Sequence, residues 1–377
     1  MSVKRIIGNK YMLNFCFIPK FFYLILNSTL QIIQGILFKK VENEDIKKIL
    51  IYRIGTLGDN ITAIPSIYNI IESYPDTKID LLCSGGGNSV LSMDNIIDDT
   101  YFNTIINYDN YSKKDLINKL KNNKYDLVIE LPNNLSTLFR NLRNMIFFRF
   151  FIDIKSGFGW KVSTIKLFKR LQDRCMIFDN EINRLQKILK ENKLKVNSTK
   201  FILKTIDNEE ELYKKYNIIE NENIAIVVGA KRAQNRWSIE YFQELIDYII
   251  DKEYNVYVIG GKEDLEISSK LNKNSNLFDL CGELTPLESA SILKKCKLTI
   301  TNDTGPMHLS YAVGTQTLAL FSARDFKNKW YPPEEKNIVF RDNDIECRIC
   351  LSENCLDNKC MQNIKPKQII KYLEDLI

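Results

Sequence analysis

Histidine is almost missing from this chain of 377 residues: it occurs once, at His308. A single imidazole excludes every multi-histidine metal centre and leaves a Ser-His-Asp relay only that one residue to use. Catalysis therefore has to rest mainly on carboxylates, lysines, arginines or backbone amides. A secretory signal with a small-residue cleavage site is also lacking, and the nine cysteines are an odd number, so a reducing cytosol is expected and a disulfide framework is not. No concentrated basic stripe and no nucleic-acid-binding module occur, which argues against DNA or RNA as a partner. Lys plus Arg number 53 against 47 Asp plus Glu, and the resulting +6 suits anionic ligands or a membrane surface. With 45% hydrophobic and 27% charged residues the chain has ordinary globular usage, and its length predicts two domains.

From Phe21 to Phe38 there is no charge for 18 residues. Lys20, Asn27, Gln31 and Gln34 recur at helical spacing and leave Phe22, Ile25, Ile32, Ile33 and Ile36 among the apolar remainder, so residues 1–46 read as an extension built on an amphipathic helix. Lys4, Arg5 and Lys10 before it, with Lys39 and Lys40 after it, would meet anionic lipid at roughly 1 kcal/mol per close charge. A helix packed on the protein's own surface and a membrane span are the alternatives.

From Lys48 short apolar runs alternate with helical stretches, the pattern of buried parallel strands with crossover helices. Strands are predicted at Ile49–Arg53, Ile79–Cys83, Thr104–Asn107 and Asp126–Leu131. The alternation restarts with Ile224–Val228, a helix from Ser238 to Lys252, Val256–Ile259, Leu298–Thr301 and Thr317–Phe321. Thr285-Pro286-Leu287-Glu288 opens a further helix with a cap residue, a proline at the first position and a glutamate at the third. The stretch from Asn180 to Tyr216 is charged and weakly patterned. The expected domains are 47–200 and 201–377, both α/β, with ligands beyond the carboxyl ends of strands, after Arg53, Val228, Ile259 and Thr301.

Three loops at those ends carry chemistry. Arg53-Ile54-Gly55-Thr56-Leu57-Gly58-Asp59-Asn60 has two glycines but neither the dinucleotide fingerprint nor a P-loop. Asp59 stands where the loop enters a helix, either as its N-cap or as a carboxylate facing ligand. Gly229-Ala230-Lys231-Arg232-Ala233-Gln234-Asn235-Arg236-Trp237 brings three cations together. Thr301-Asn302-Asp303-Thr304-Gly305-Pro306-Met307-His308 runs into a helix whose first amides form a site for phosphate oxygens, and a diphosphate fits it. Cys347-x2-Cys350-x4-Cys355-x4-Cys360 permits a structural tetrathiolate zinc or an iron–sulfur cluster, or remains reduced free thiols. The other five cysteines, Cys16, Cys83, Cys175, Cys281 and Cys296, read as core filler.

Three blocks carry a family resemblance: "ILIYRIGTLGDNITAIPSIYNIIESYP" from Ile49, "VVGAKRAQNRWSIEYFQELI" from Val227 and "CGELTPLESASILKKCKLTITNDTGPMHLSYAVGTQTLALFS" from Cys281. With them the sequence resembles glycosyltransferase family nine, the lipopolysaccharide heptosyltransferase family. The resemblance implies an α/β GT-B fold, two Rossmann-like domains facing a central cleft, with an N-terminal amphipathic helical extension. It implies an inverting transfer of a sugar, a heptose from ADP-heptose, onto a lipid-linked saccharide of the lipopolysaccharide core, with no metal or other cofactor needed for catalysis. It places the protein in the cytoplasm, peripheral on the inner face of a bacterial inner membrane. Asp59 matches the general base, Gly55, Thr56, Gly58 and Asn60 its acceptor-side loop, and Asp303, Thr304, Gly305 and His308 the donor-binding loop. Where the family has a lysine two residues before the tryptophan this sequence has Asn235, which leaves Lys231, Arg232 and Arg236 as the cations for the phosphates. Another donor, a protein acceptor, and a sugar-nucleotide-binding homologue without catalysis are the remaining readings.

Overall fold

The computed structural model describes residues 17–40, 45–85, 92–134, 136–163, 177–220 and 222–377. Lys4, Arg5, Lys10, Cys16 and Cys175 lie outside the described residues. Two compact units divide the chain, Met1–Leu203 and Lys204–Ile377.

In the first unit the strands are β1 (Lys48–Ile54), β2 (Lys78–Ser84), β3 (Thr104–Asn107), β4 (Leu127–Glu130) and β5 (Ser156–Phe158). They form one parallel sheet in the order β3-β2-β1-β4-β5. Both faces of the central strands are covered, which explains their continuous apolar runs. Ile49 and Ile51 pack on one side against Ile64 and Ile67 of α2 (Leu57–Ser73) and Leu185 and Leu189 of α5 (Glu181–Glu191). Leu50 and Tyr52 point to the other side, onto Met145 of α4 (Leu138–Ile146), Phe148 in the π-turn that follows it and Leu30 of α1 (Phe17–Leu37). α3 (Lys113–Asn123) links β3 to β4.

Two expectations change here. The stretch after Asn180 is not structurally weak: Ile182, Leu185, Ile188 and Leu189 are buried, and α5 supplies a face of the first core. The leading helix also differs from its simplest amphipathic reading. Asn27 is buried, its amide donating to Tyr23 O at 3.0 Å and its Oδ1 accepting from Val162 N at 2.9 Å. Leu26, Leu30, Ile33 and Leu37 pack into the unit, while Leu24, Ile32 and Ile36 stay exposed at 63, 64 and 77%. The helix thus docks on the domain through one apolar face and shows a second to its surroundings. Among the described residues no helix is long and apolar enough to cross a membrane.

The second unit carries β6 (Asn223–Val227), β7 (Asn255–Val258), β8 (Leu277–Asp279), β9 (Leu298–Asn302), β10 (Gln316–Phe321) and β11 (Ile338–Arg341), parallel in the order β11-β10-β9-β6-β7-β8. Its core joins Ile224, Ile226 and Val228 to Phe242 and Ile246 of α7 (Ile239–Asp251) and to Ile369 and Leu373 of α12 (Pro366–Leu373). Helix α9 (Pro286–Lys294) starts with the capping box expected at Thr285, whose hydroxyl accepts from Glu288 N while Glu288 accepts from Thr285 N. The two shortest strands, β5 and β8, carry three residues each, too few to show a periodicity.

One acid is folded into the first sheet without a cation bonded to it. Glu130, at the end of β4, is buried and accepts from Asn144 Nδ2 at 2.9 and 3.1 Å; burial pushes its carboxyl up to about 7. The folded state therefore holds this proton more firmly than the unfolded chain, where glutamate titrates near 4.5. Stability is expected to decline as the pH rises from about 4.5 to about 7 and then to level off, a difference of ~3 kcal/mol. Urea midpoints at pH 5 and pH 8 measure it, and Glu130→Gln is expected to narrow the gap by about its own share, the remainder belonging to Asp303, whose carboxyl burial also pushes up to about 7; a variant that keeps the whole gap would assign it to other groups.

Candidate active site

The loop after β1 is built around Asp59. Thr56 is the N-cap of α2 and Asp59 its third residue, so Asp59 is the far half of a capping box and not the cap itself. Its Oδ2 accepts from Thr56 N at 3.2 Å and from Thr56 Oγ1 at 2.9 Å, and its Oδ1 from Asn134 Nδ2 at 3.4 Å. Gly55 is required: a Cβ there would stand 2.2 Å from Asp59 Cβ. Asn60 is buried and donates back to Gly55 O at 3.2 Å, and Gly58 sits half-buried in the first helical turn.

Beneath this carboxylate lies a chain of charges whose members the sequence did not connect. Arg53 is wholly buried at the end of β1, with Nη2 at 3.8 Å from Asp59 Oδ1 and 3.7 Å from Glu181 Oε1. It also donates to Leu131 O and to Asp59 O. Glu181 in turn is held by Arg184 through bonds of 2.7 and 2.8 Å. Asp59 keeps 13% of its side chain exposed while Thr56, Asn134 and Arg53 hold it in place. A carboxylate fixed and partly exposed in this way can accept a proton from a bound hydroxyl. Arg53, a charge inside an apolar strand, was a visible signal; Glu181 and Arg184, far along the chain, gave none.

In the second unit the ends of β6 and β9 are tied together. Asn302 Nδ2 donates to Val228 O at 2.8 Å and its Oδ1 accepts from Trp237 N at 3.0 Å. Thr304 caps α10 (Gly305–Ala312), which leaves the amides of its first turn at the carboxyl end of the sheet. Asp303 precedes them, bonded by Asn235 Nδ2 at 2.9 Å, and Asn235 Oδ1 accepts from Ser322 Oγ at 2.7 Å. Burial and the nearby Asp325 push the Asp303 carboxyl up to about 7. His308, in the same helix, is buried, with Nδ1 at 2.7 Å from Tyr311 Oη and its ring packed edge-on against Trp330.

The three cations of the β6 loop differ in placement. Lys231 and Arg232 are exposed, Arg232 within 3.5 Å of Glu353, whereas Arg236 donates to Ala230 O at 2.8 Å and braces its own loop. Two residues that the sequence did not mark join them. Lys329 is buried, has no carboxylate within ion-pair distance among the described residues, and is one of the cations that act on Asp303. Asp264 packs under Gly229, where an added Cβ would lie 2.0 Å from its Oδ1.

The four C-terminal thiols, Cys347, Cys350, Cys355 and Cys360, line one cavity of about 20 Å³ together with Gln234 and Arg324. A volume of that size admits one small ion or water. Among the described residues no three His, Cys, Asp or Glu side chains stand close enough to form a metal-ligand set. The loop supports the basic turn: Asn358 Nδ2 donates to Arg236 O at 3.2 Å, and Gln234 donates to Glu353 O. Cys83, Cys281 and Cys296 are buried in the cores, as expected of filler.

The profile of glycosyltransferase family 9, described as heptosyltransferase, matches residues 114–361. Lipooligosaccharide heptosyltransferase 2 of Campylobacter jejuni is 27% identical over 150 residues, 38% of this chain and 46% of the relative, so the chain matches about half the length of that protein. Among solved structures, the family 9 glycosyltransferase of Veillonella parvula aligns with a TM-score of 0.68 at 18% identity, covering 89% of this chain and 98% of that one. Escherichia coli heptosyltransferase WaaC, solved with ADP-2-deoxy-2-fluoro heptose, aligns at 0.60 with 14% identity, covering 88% and 100%. These two likenesses establish the fold, α/β units of the GT-B class.

Proposed function

The chain belongs to glycosyltransferase family 9, and from that premise we propose that it transfers a heptose from ADP-heptose to a lipid-linked saccharide acceptor, with inversion and without a catalytic metal. The observation that carries this reading is the carboxylate at Asp59, fixed by Thr56 and Arg53 and still partly exposed. Asp59 takes the acceptor hydroxyl's proton as that oxygen bonds to the anomeric carbon and the bond from this carbon to the diphosphate oxygen breaks. ADP leaves with the electron pair. The amides of Thr304 and Gly305 meet the diphosphate, with Lys231, Arg232 and Lys329 neutralising the charge that develops on it. Arg236 acts by fixing the loop, and His308 by packing α10 against Trp330.

Asn235 fills the place of the family's lysine with a hydrogen bond to Asp303, so the cation has to come from elsewhere, and Lys329 is the buried candidate. Replacing Asp59 by Asn is expected to lower transfer by a factor of about 10² to 10⁴ while ADP binding stays unchanged. Mass spectrometry of products from a panel of nucleotide sugars and acceptors, beside calorimetry with ADP, measures both. Full activity in the variant would remove Asp59 as base, and tight ADP binding with no product on any acceptor would favour a non-catalytic homologue.

The reading extends to the inner face of a bacterial inner membrane, where the exposed side of α1 would rest on lipid with Lys39 and Lys40 beside it. Leu24→Gln, Ile32→Gln and Ile36→Gln together are expected to release the protein from anionic liposomes in a flotation assay while leaving its melting temperature nearly unchanged. Retained binding would reject the anchor.

The four thiols, which as placed form no metal-ligand set, are proposed to draw together around a structural zinc that stiffens the turn between Lys231 and Trp237, since they line one small cavity with Gln234 of that turn. Metal analysis after anaerobic purification is expected to find about one zinc per chain, lost in Cys355→Ser with a lower melting temperature. Metal-free protein of unchanged stability would reject it.

A further inference from the structure

A cavity of about 870 Å³ opens in the first unit and none of the roles above uses it. It lies on the side of the sheet away from α2, because Tyr52 and Ile54 line it and alternate along β1 with the buried Arg53. Leu116, Leu142 and Phe147 form apolar wall, and Phe139, Ile146 and Phe151 at its edge are 81, 47 and 53% exposed. So much exposed apolar surface around a concavity marks a ligand site more than a solvated face.

The charged groups lining it are unequal. Lys113, Arg140 and Arg143 are exposed cations, and Glu130 is the one acid among the lining residues. Glu130 is buried and engaged by Asn144, whose Oδ1 accepts from Arg143 at 3.1 and 3.3 Å. The cavity also reaches the Asp59 loop. Arg140 Nη1 donates to Asn133 Oδ1 at 3.1 Å, Asn133 lines the cavity, and its neighbour Asn134 donates to Asp59.

We propose that this cavity binds the hydrocarbon chain of a single-chain anionic amphiphile, with Lys113, Arg140 and Arg143 holding its charged group. An apolar chamber of this size edged by exposed guanidinium groups matches such a molecule at both ends: the chain leaves water, and the anion meets bidentate donors. Naming that chain as part of the lipid-linked acceptor rests on the proposed transfer; the binding itself does not.

The test uses the full chain and monoalkyl phosphates of increasing length, below their micelle concentrations, in calorimetry. Affinity is expected to rise about fourfold per added methylene and then level off once the cavity is filled. Phe139→Glu and Ile146→Glu, at exposed positions that folding does not need, are each expected to weaken binding at least tenfold. Arg140→Gln with Arg143→Gln should weaken alkyl phosphates and spare neutral alkyl glycosides of equal length. Ile177→Glu, an exposed residue that does not line the cavity, should change nothing. A flat chain-length series, or equal losses in Ile177→Glu, would overturn the assignment. In transfer assays Phe139→Glu should raise KM for a lipid-linked acceptor and leave the delipidated saccharide unaffected. Chain-length-dependent binding with no transfer to any acceptor would keep the cavity and remove the transferase reading.

Discussion

The first unit depends on a guanidinium that has no access to water. Arg53 ends the central strand of its sheet, fully buried, between the carboxylates of Asp59 and Glu181. A fully buried cation is costly unless it is paired and hydrogen-bonded, and removing one partner from such a group costs of order 3–5 kcal/mol. The consequence runs in both directions. Arg53 holds the backbone of the Asp59 loop through its bonds to Asp59 O, and the loop in turn gives Arg53 the negative charge that makes its burial tolerable. A carboxylate fixed in this way cannot rotate freely, so the accessible edge of Asp59 is set by the core of the domain and not by the flexibility of a surface loop.

The second unit solves a similar positioning problem with neutral groups. Asn302 and Asn235 cross-link the ends of β6, β9 and β10 through amide hydrogen bonds, to Val228 and Trp237 in one case and to Asp303 and Ser322 in the other. Amides can satisfy donors and acceptors at the same time, which lets them knit strand ends together without adding charge beside the first amides of α10. Asp303, bonded by such an amide and pushed up to about 7, carries less negative charge near neutrality than an ordinary aspartate does. A lysine at position 235 would have held Asp303 ionised. The amide partner leaves the burial of Asp303 without a bonded cation, and Lys329 is among the cations that act on it from another loop.

Much of this was legible in the sequence wherever function coincided with local pattern. The strands around Ile49, Ile79, Ile224 and Leu298 announced themselves as apolar runs, and the loops after Arg53, Val228 and Thr301 could be located because ligands in parallel sheets collect at carboxyl ends. Thr285 and Glu288 declared a helix start by chemistry confined to four residues. The rest depended on contacts between distant positions. Glu181 and Arg184 sit on a helix whose four buried apolar residues were diluted by charges, and Lys329 lies in a loop with no periodicity. His308, the rarest residue, was marked for the donor loop by the same block that holds Thr304. The helical turn that places the Thr304 cap at the strand end turns the His308 ring inward to Tyr311.

The leading helix shows why composition alone could not choose between the surface of the protein and the surface of a membrane. Its apolar residues exceed what one contact face requires. Leu26, Leu30, Ile33 and Leu37 meet the core beside Met145 and Phe148, and a second set stays outside. Asn27 makes the inner face workable, because a buried amide that satisfies both Tyr23 O and Val162 N fastens the helix to the segment following the last strand of the sheet. A helix fastened in this manner brings its outer face to a fixed orientation relative to α4, against which it packs, and the exposed aromatic residues Phe139, Phe150 and Phe151 belong to that same helix and the turn that extends it. Apolar surface on α1 and apolar surface around the cavity are therefore held by one packed layer. Any lipid that one of them meets is met in a geometry that the first domain's core determines.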